Sequence, residues 1–533
     1  MKTKFYFGLL AAAALSMTAC SNENEPNNGG STDANGDKYM AITIRNVGMN
    51  GSRAAATDDD FEAGLTSEGQ ITTDNLYFYF FDADGNPFQL AAANVNGSVA
   101  TNVVKPTEII TNTHNPGQEP TITGVLVLGK AANEGYVGTT PSQVLCVVNP
   151  TATNLNAYAN KPLSQVLDIS TTNADMPAPK NFVMTSSTYV SGDKKVVATD
   201  VTGKFYETPD EAKEHPAIIY LERLAAKARV QGLGTYVPQY KNSEGEIVND
   251  YVYKVDNQEV EFNVTLNGWR MTNISHASLA FKNVAADGNY FEDWNDANRH
   301  RCYWALSKVS DPLANPITSF NIWDNTQWTR GNFDKANATT NIAYCYENTQ
   351  SVPTSATDRT SKATGILIQA NVTYRAKGST DEFKSVELLR WAGAYYTADV
   401  LKQMIIDNYN VTNSTSLTKD AVEFKKYSDT TKFPNRYYAT VKNGDSTVNW
   451  DTNYNNIQWW KDGATSYYMN IAHLGGKFGV VRNHIYDYTV NGVIGLGVPG
   501  NDIENPEPEQ ETFLSAALDI LDWRVVSNNV TLE

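Results

Sequence analysis

Cysteine is scarce in this chain of 533 residues: only Cys20, Cys146, Cys302 and Cys345. That excludes a small fold stapled by disulfides. Histidine is little more frequent, and His114, His215, His276, His300, His473 and His484 fall without metal-ligand spacing. No nucleophile-elbow motif and no Cys-x-x-Cys pair occurs. With no catalytic constellation, metal set or cofactor motif, the chain reads as a non-enzyme. Positive charge is also short: 42 Lys and Arg stand against 59 Asp and Glu, a net charge of −17. An acidic surface repels phosphate backbones, which argues against a nucleic-acid partner. After residue 20 no apolar run is long enough to span a bilayer as a helix.

Two motif-like stretches dissolve on inspection. Gly495 to Gly500 has dinucleotide-fingerprint spacing, but Pro499 removes a donor and no helical pattern follows. It reads as a strand-to-linker turn. Asp82, Asp84 and Asn86 resemble a calcium loop without the Glu at its twelfth position, so a hairpin turn is expected.

Tyrosine, at 29 residues, and tryptophan, at 10, are plentiful, and aromatic residues favour strands. Strand patterns recur at 40–47, 76–81, 125–128, 144–148, 218–221, 261–267, 365–374, 467–471 and 484–493. Residues 125–128 and 144–148 are apolar throughout, as in strands buried on both faces. Helical pattern is rare. The best candidate is 397–409, with Val400, Leu401, Met404 and Ile405 on one stripe. Such a chain exceeds one core. The reading is all-β with few short helices: two β-sandwich domains in tandem, at 54–235 and 236–500.

The termini are unlike the middle. Lys2 and Lys4, an apolar run from Phe5 to Leu15, and Met17-Thr-Ala-Cys20 form a secretion signal of the bacterial lipoprotein type. Cys20 then becomes an acylated N-terminus. Residues 21–37 are polar and read as a tether. In the strand at 40–47, Met40, Ile42 and Ile44 share one face. Small and polar residues from Gly48 to Asp60 follow, open to a protease. At the other end, 501–511 is an acidic, Pro-containing linker. Leu514, Ala516, Leu518 and Ile520 then alternate, and Trp523 and Val525 begin a second extended stretch. A strand pair behind such a linker suits a chain that reaches for a neighbour.

The order of these pieces resembles the Bacteroidales fimbrillins, or type V pilins. The likeness rests on the lipobox at Cys20, Gly51-Ser-Arg53-Ala54 after the first strand, and Tyr220-Leu-Glu-Arg-Leu-Ala-Ala-Lys227. It also rests on Gly479-Val-Val-Arg-Asn-His-Ile-Tyr486 and the closing Leu518-Asp-Ile-Leu-Asp-Trp-Arg-Val525. The resemblance implies immunoglobulin- or transthyretin-like sandwiches and lipidation at Cys20. It implies cleavage between Arg53 and Ala54 by an Arg-specific surface protease. The strand carrying Met40, Ile42 and Ile44 would leave with the propeptide, residues 21–53. The C-terminal strands within 501–533 would fill the groove of the next subunit. The implied partners are copies of the chain and other fimbrial subunits, the outer membrane through the lipid anchor before cleavage, and a host or bacterial adhesion ligand. The mature form would stand in a fimbrium on the cell surface.

Several positions keep two readings. Cys302 and Cys345 are either a disulfide or two buried thiols, and Cys146 reads as core. The C-terminal strands are either donors or an edge of their own domain. Asp429-Thr-Thr431 and Asp445-Ser-Thr447 resemble bacterial O-glycosylation triplets. Adjacent Trp459 and Trp460 would turn one ring outward in a strand, the basis of a second functional reading. That reading is a monomeric surface lipoprotein, or a fimbrial tip adhesin, that binds glycans or host proteins.

Overall fold

The computed structural model describes residues 38–532 apart from 47–60, 63–70, 91–100, 113–120, 129–140, 173–181, 285–294, 308–341, 350–363, 429–434, 451–453, 474–478, 501–516 and 521–522, and apart from 151, 193, 243, 249, 273, 276, 298–299 and 386. The fold is mostly β with few short helices. Among the described residues no helix is long and apolar enough to cross a membrane.

The first sheet is built around six strands: β1 (Lys38–Asn46), β2 (Leu76–Phe81), β3 (Thr121–Leu128), β4 (Gln143–Val148), β5 (Met184–Ser186) and β6 (Ala217–Arg223). Their order is β2-β4-β5-β6-β1-β3, with short strands Val103–Val104 and Glu108–Asn112 at the two ends. Alternation assigns each face a core. Phe78, Phe80, Val144, Cys146 and Val148 join Met40 and Ile42 on one side. Tyr79, Phe81, Leu145 and Val147 point to the other. The apolar run at 144–148 therefore is a strand buried on both faces, as its composition requires. The sheet curls onto itself. A Cβ on Gly124 of β3 would lie 3.8 Å from both Leu76 and Phe78 of β2, although the two strands are far apart in the sheet order. The outer face is covered by α1 (Ala152–Tyr158) and α2 (Leu163–Leu167), and by Phe281 and Tyr346 from later in the chain.

The crossing between sheets falls at buried Leu224, ahead of the division at 235/236 expected from the sequence. On its far side β7 (Ala225–Gln231) enters a second sheet, beside β9 (Ile342–Tyr346) and β12 (His484–Val493). Facing it lies a third sheet containing β8 (Gln258–Thr272), β10 (Gly365–Ala376) and β11 (Ala464–Asn470). Ala226, Ala228, Tyr486, Tyr488 and Val490 from one sheet meet Phe262, Val264, Trp269, Ile366, Ile368 and Tyr467 from the other in a single core. This is a sandwich with alternating inward residues.

Residues 388–460 hold the helix that the sequence pattern placed at 397–409. Helix α4 (Ala398–Asn413) packs on a three-stranded sheet, Val422–Lys426, Tyr437–Asn443 and Ser446–Asn449. It runs past the expected end at Tyr409, and its buried stripe is Leu401, Ile405, Ile406 and Tyr409. Val400, expected on that stripe, is exposed, and Met404 is half-buried. The helix is docked from its first residue. Thr397 donates its backbone N–H and its hydroxyl to Asp256, at 3.0 and 2.7 Å, which sets which face turns inward.

The Asp82 loop is the expected turn. Asp82 Oδ1 accepts from the backbone N–H groups of Asp84 and Asn86 at 2.9 and 2.8 Å, and Gly85 takes a φ of +80°. Among the described residues no group of three metal-ligating side chains comes together.

Candidate assembly site

β1 is an internal strand. It runs parallel to β6, with Ile42 opposite Ala217 and Ile44 opposite Ile219. It runs antiparallel to β3, with Met40 opposite Leu126, Ile42 opposite Gly124 and Ile44 opposite Ile122. Met40 and Ile42 have no exposed surface. Thr43 and Thr123 hydroxyls lie 3.0 Å apart across the ladder. Burial of Met40 and Ile42 contributes roughly 1.5–3 kcal/mol each. Taking β1 away would open both ladders and the trough that these side chains fill. Beside it lies α3 (Pro209–Glu214), capped by the Thr208 hydroxyl accepting from Glu211 N–H at 3.3 Å. Lys213 of α3 pairs with Glu108 at 3.2 Å.

The C-terminal strands are arranged otherwise. β13 (Ala517–Ile520) and β14 (Trp523–Leu532) form an antiparallel pair, Ala517 opposite Asn528 to Ile520 opposite Val525. β14 is the second extended stretch expected from the sequence, ten residues long. It lies parallel to β12, from His484 opposite Arg524 to Val493 opposite Leu532. Beyond the pair, among the described residues, only the two-residue strand Phe61–Glu62 continues the sheet. The strands thus complete an edge of their own chain, the second of the two placements open at the sequence level. Leu518, Ile520, Trp523 and Val525 sit in this pair. Leu514, Ala516, Cys20, Arg53, Ala54 and the triplet 429–431 lie outside the described residues.

The two motifs at 220–227 and 479–486 are distant in sequence and meet in space. β7 runs parallel to β12, with Lys227 opposite Ile485. Asn483 N–H donates to the Ala225 carbonyl at 2.8 Å. Around them is a buried set of charges that sequence reading did not anticipate. Lys282 meets Glu222 at 2.6 Å, Arg229 meets Asp487 at 2.7 Å, and Arg482 meets Glu347 at 3.2 Å. Arg482 also donates to the Ala280 and Leu279 carbonyls, at 3.1 and 2.7 Å. The segment Ala277–Leu279 pairs in turn with Ser170–Thr172 of the first half, and Thr185 of β5 donates to Ala280 O at 2.9 Å. One guanidinium therefore pins the two halves together. His484 lies beside it, its Nδ1–H donating to the Arg482 carbonyl at 2.8 Å. Burial, with Arg301, His473 and Lys282 nearby, holds its pKa well below the ordinary imidazole range.

The remaining candidates take their bland readings. Cys302 and Cys345 are free, buried thiols, the second of the two readings left open by the sequence. They lie in separate core clusters, beside Trp304 and beside Tyr486 respectively. Cys146 is core, and burial raises its thiol pKa. Trp460 is buried and donates to the Leu496 carbonyl at 3.2 Å. Trp459 is half-buried, with Phe424 and Tyr437 at its edges and the Lys461 ammonium 4.0 Å from its ring centre. Neither ring forms an open platform. Asp445-Ser-Thr447 is exposed at a hairpin tip.

Residues 459–529 match the family described as major fimbrial subunit protein type IV, fimbrillin, C-terminal. That stretch is similar to the C-terminal part of fimbrillin. The match begins at Trp459 and takes in β11, β12, β13 and most of β14, the whole edge on which the terminal strands lie. No curated protein sequence matches the chain. Among solved structures, a candidate cell-adhesion protein from Parabacteroides distasonis is 11% identical over 93% of this chain and 95% of that one, with a TM-score of 0.37. A fimbrial assembly protein from the same species is 13% identical over 65% of this chain and 84% of that one, with a TM-score of 0.24. The tip fimbrial protein Mfa3 from Porphyromonas gingivalis, with a C-terminal truncation, is 10% identical over 85% of this chain and 94% of that one, with a TM-score of 0.27.

Proposed function

We propose that the chain is the precursor of a fimbrial subunit, secreted as a lipoprotein acylated at Cys20, cut after Arg53 and polymerised by strand exchange. Removal of residues 1–53 takes β1 with it. The vacated trough between β3 and β6 is then filled by C-terminal strands from the next copy or from a related fimbrial subunit. The protein partners are those subunits and an Arg-specific surface protease, and the product is an extracellular fimbrium on the cell surface.

The observation that carries this reading is the contrast between the two terminal strands. β1 is inside its sheet with neighbours on both sides, so its loss leaves a slot with unpaired N–H and C=O groups. The C-terminal pair lies toward an edge of its sheet, with β12 on one side and, among the described residues, only Phe61–Glu62 on the other. Strand addition supplies ladder hydrogen bonds and side chains for alternate pockets. β14 has ten residues and β1 nine, so the lengths suit each other. Each also lies parallel to its neighbour β12 or β6. Head-to-tail contacts that do not close give a filament.

Limited digestion of the full chain with an Arg-specific protease tests this. The expected product has lost residues 1–53 and forms ladders that resist SDS until heated. A cut chain that stays monomeric overturns the proposal. Deletion of 512–533 should leave a folded protein that does not elongate; if the truncated chain still polymerises, the donor lies elsewhere.

A further inference from the structure

Three of the six large hydrophobic residues exposed among the described residues, Val237, Ile247 and Tyr251, fall in one short stretch. Val237 and Tyr251, 75% and 41% exposed, line a cavity of about 380 Å³ at the start of β8. Tyrosines make its wall. Tyr240 and Tyr251 stack with centroids 3.6 Å apart and planes 11° from parallel. Tyr253 meets Tyr251 edge-on at 4.9 Å, and Phe262 meets Tyr253 edge-on at 5.2 Å. The Tyr253 hydroxyl donates to the Gln239 carbonyl at 3.1 Å, which holds the wall in place. Tyr251, the more exposed ring of the stack, offers an aromatic surface to solvent.

Polar groups complete the lining: the exposed Gln239 and Lys377, and the half-buried Glu261. The two charges are already matched. Arg375 Nε donates to Glu261 at 2.9 Å, and Gly378 N–H donates to the same carboxylate at 3.2 Å. Lys377 pairs with Glu259 at 3.2 Å. A strongly ionic ligand would find no free counter-charge here. A purely apolar one would take water from the Gln239 amide and from the solvent-facing atoms of Glu261 and Lys377. The combination suits a neutral ligand with one apolar face and a polar rim, which describes a pyranose ring. The carboxylate then accepts from hydroxyls, while Gln239 and Lys377 donate to them. The volume is at the small end of ligand sites and suits a mono- or disaccharide.

We propose that the Tyr240–Tyr251–Tyr253 cavity binds neutral saccharides by stacking a sugar ring on Tyr251. None of the lining residues belongs to β1 or to the C-terminal strands, so sugar binding and polymerisation can be measured apart. Saturation-transfer NMR of the full chain with maltose, lactose, cellobiose and chitobiose tests it, with sialyllactose as the charged comparison. At least one neutral disaccharide should receive transfer, strongest at the ring C–H groups. Tyr251→Ala, at an exposed position, should weaken its binding about tenfold or more, while Tyr251→Phe retains it. Absence of transfer to all four neutral sugars, a clear preference for sialyllactose, or unchanged binding by Tyr251→Ala would overturn the proposal. Absent sugar binding together with failed ladder formation by Tyr251→Ala would assign the tyrosines to a contact between subunits instead.

Discussion

Ile42 owes its place to two small neighbours. Gly124 stands opposite it in one ladder and Ala217 in the other. A Cβ on Gly124 would come 3.3 Å from Pro106 and 3.8 Å from Leu76 and Phe78, so the space is already shared out. Truncation by Ile42→Ala should therefore cost the uncut chain about 2–5 kcal/mol, read as a lower melting temperature. The same substitution should leave the SDS resistance of cut, assembled material unchanged, because β1 has gone by then. Equal loss in both states would mean that β1 stays with the mature protein. His484 acts at the same scale through its proton. Its folded pKa is depressed, so the folded state resists protonation while the unfolded chain accepts a proton near the ordinary imidazole value of about 6.5. Its contribution to stability is intact above about pH 6.5 and falls as pH drops below it, because the unfolded state then binds more protons. Melting temperatures from pH 7.5 to 5 should decline less steeply in a folded His484→Gln variant, and identical slopes would remove His484 as a contributor.

Arg482 links elements rather than residues. It joins β12 to Glu347 beyond β9 and to the 278–280 segment, whose ladder with Ser170–Thr172 reaches the first half. Five donor contacts, including the Ser278 hydroxyl at 2.9 Å, satisfy the buried guanidinium. Removing one partner of such a pair leaves a charge without compensation. Glu347→Gln should destabilise by about 3–5 kcal/mol, whereas the double replacement Glu347→Leu with Arg482→Met should cost less than the single change. Chemical denaturation with a double-mutant cycle measures both, and a double variant worse than the single one would contradict this account. The coupling also bears on cooperativity. Phe281 and Tyr346 sit in the same core cluster as Tyr79 and Leu145 of the first sheet. The two halves should unfold together in calorimetry, not in two steps.

At the scale of the molecule, the strand that leaves and the strands that arrive have unequal consequences. An emptied trough that is filled from another copy makes stability depend on concentration. The melting temperature of chain cut after Arg53 should rise with protein concentration, while that of the uncut chain should not move. A cut chain whose melting is concentration-independent would have no partner in its groove. Much of this architecture was legible: β1, β2, β4, β10 and β12 follow directly from two-residue alternation or continuous apolar runs. The stripe of α4 was misplaced by one position, since Val400 is as apolar as Leu401 and only docking through Asp256 separates them. The tyrosine cavity had a signal in the spacing of Tyr240, Tyr251 and Tyr253, but no periodic pattern shows that a loop folds these rings into one stack.

What the sequence determined by itself is much of the inventory of strands, because a strand's alternation depends on neighbours within a few positions. Partners far apart along the chain were decided only by the tertiary structure. Alternation shows that Met40 and Ile42 face one way, but not that β3 and β6 enclose them. Nor could it show that Cys302 and Cys345 face different cores, or that Glu222, Lys282, Glu347 and Arg482 are buried. A charged residue reads as surface until the fold supplies its counter-charge, and that pairing depends on distance in space, which the order of residues does not contain.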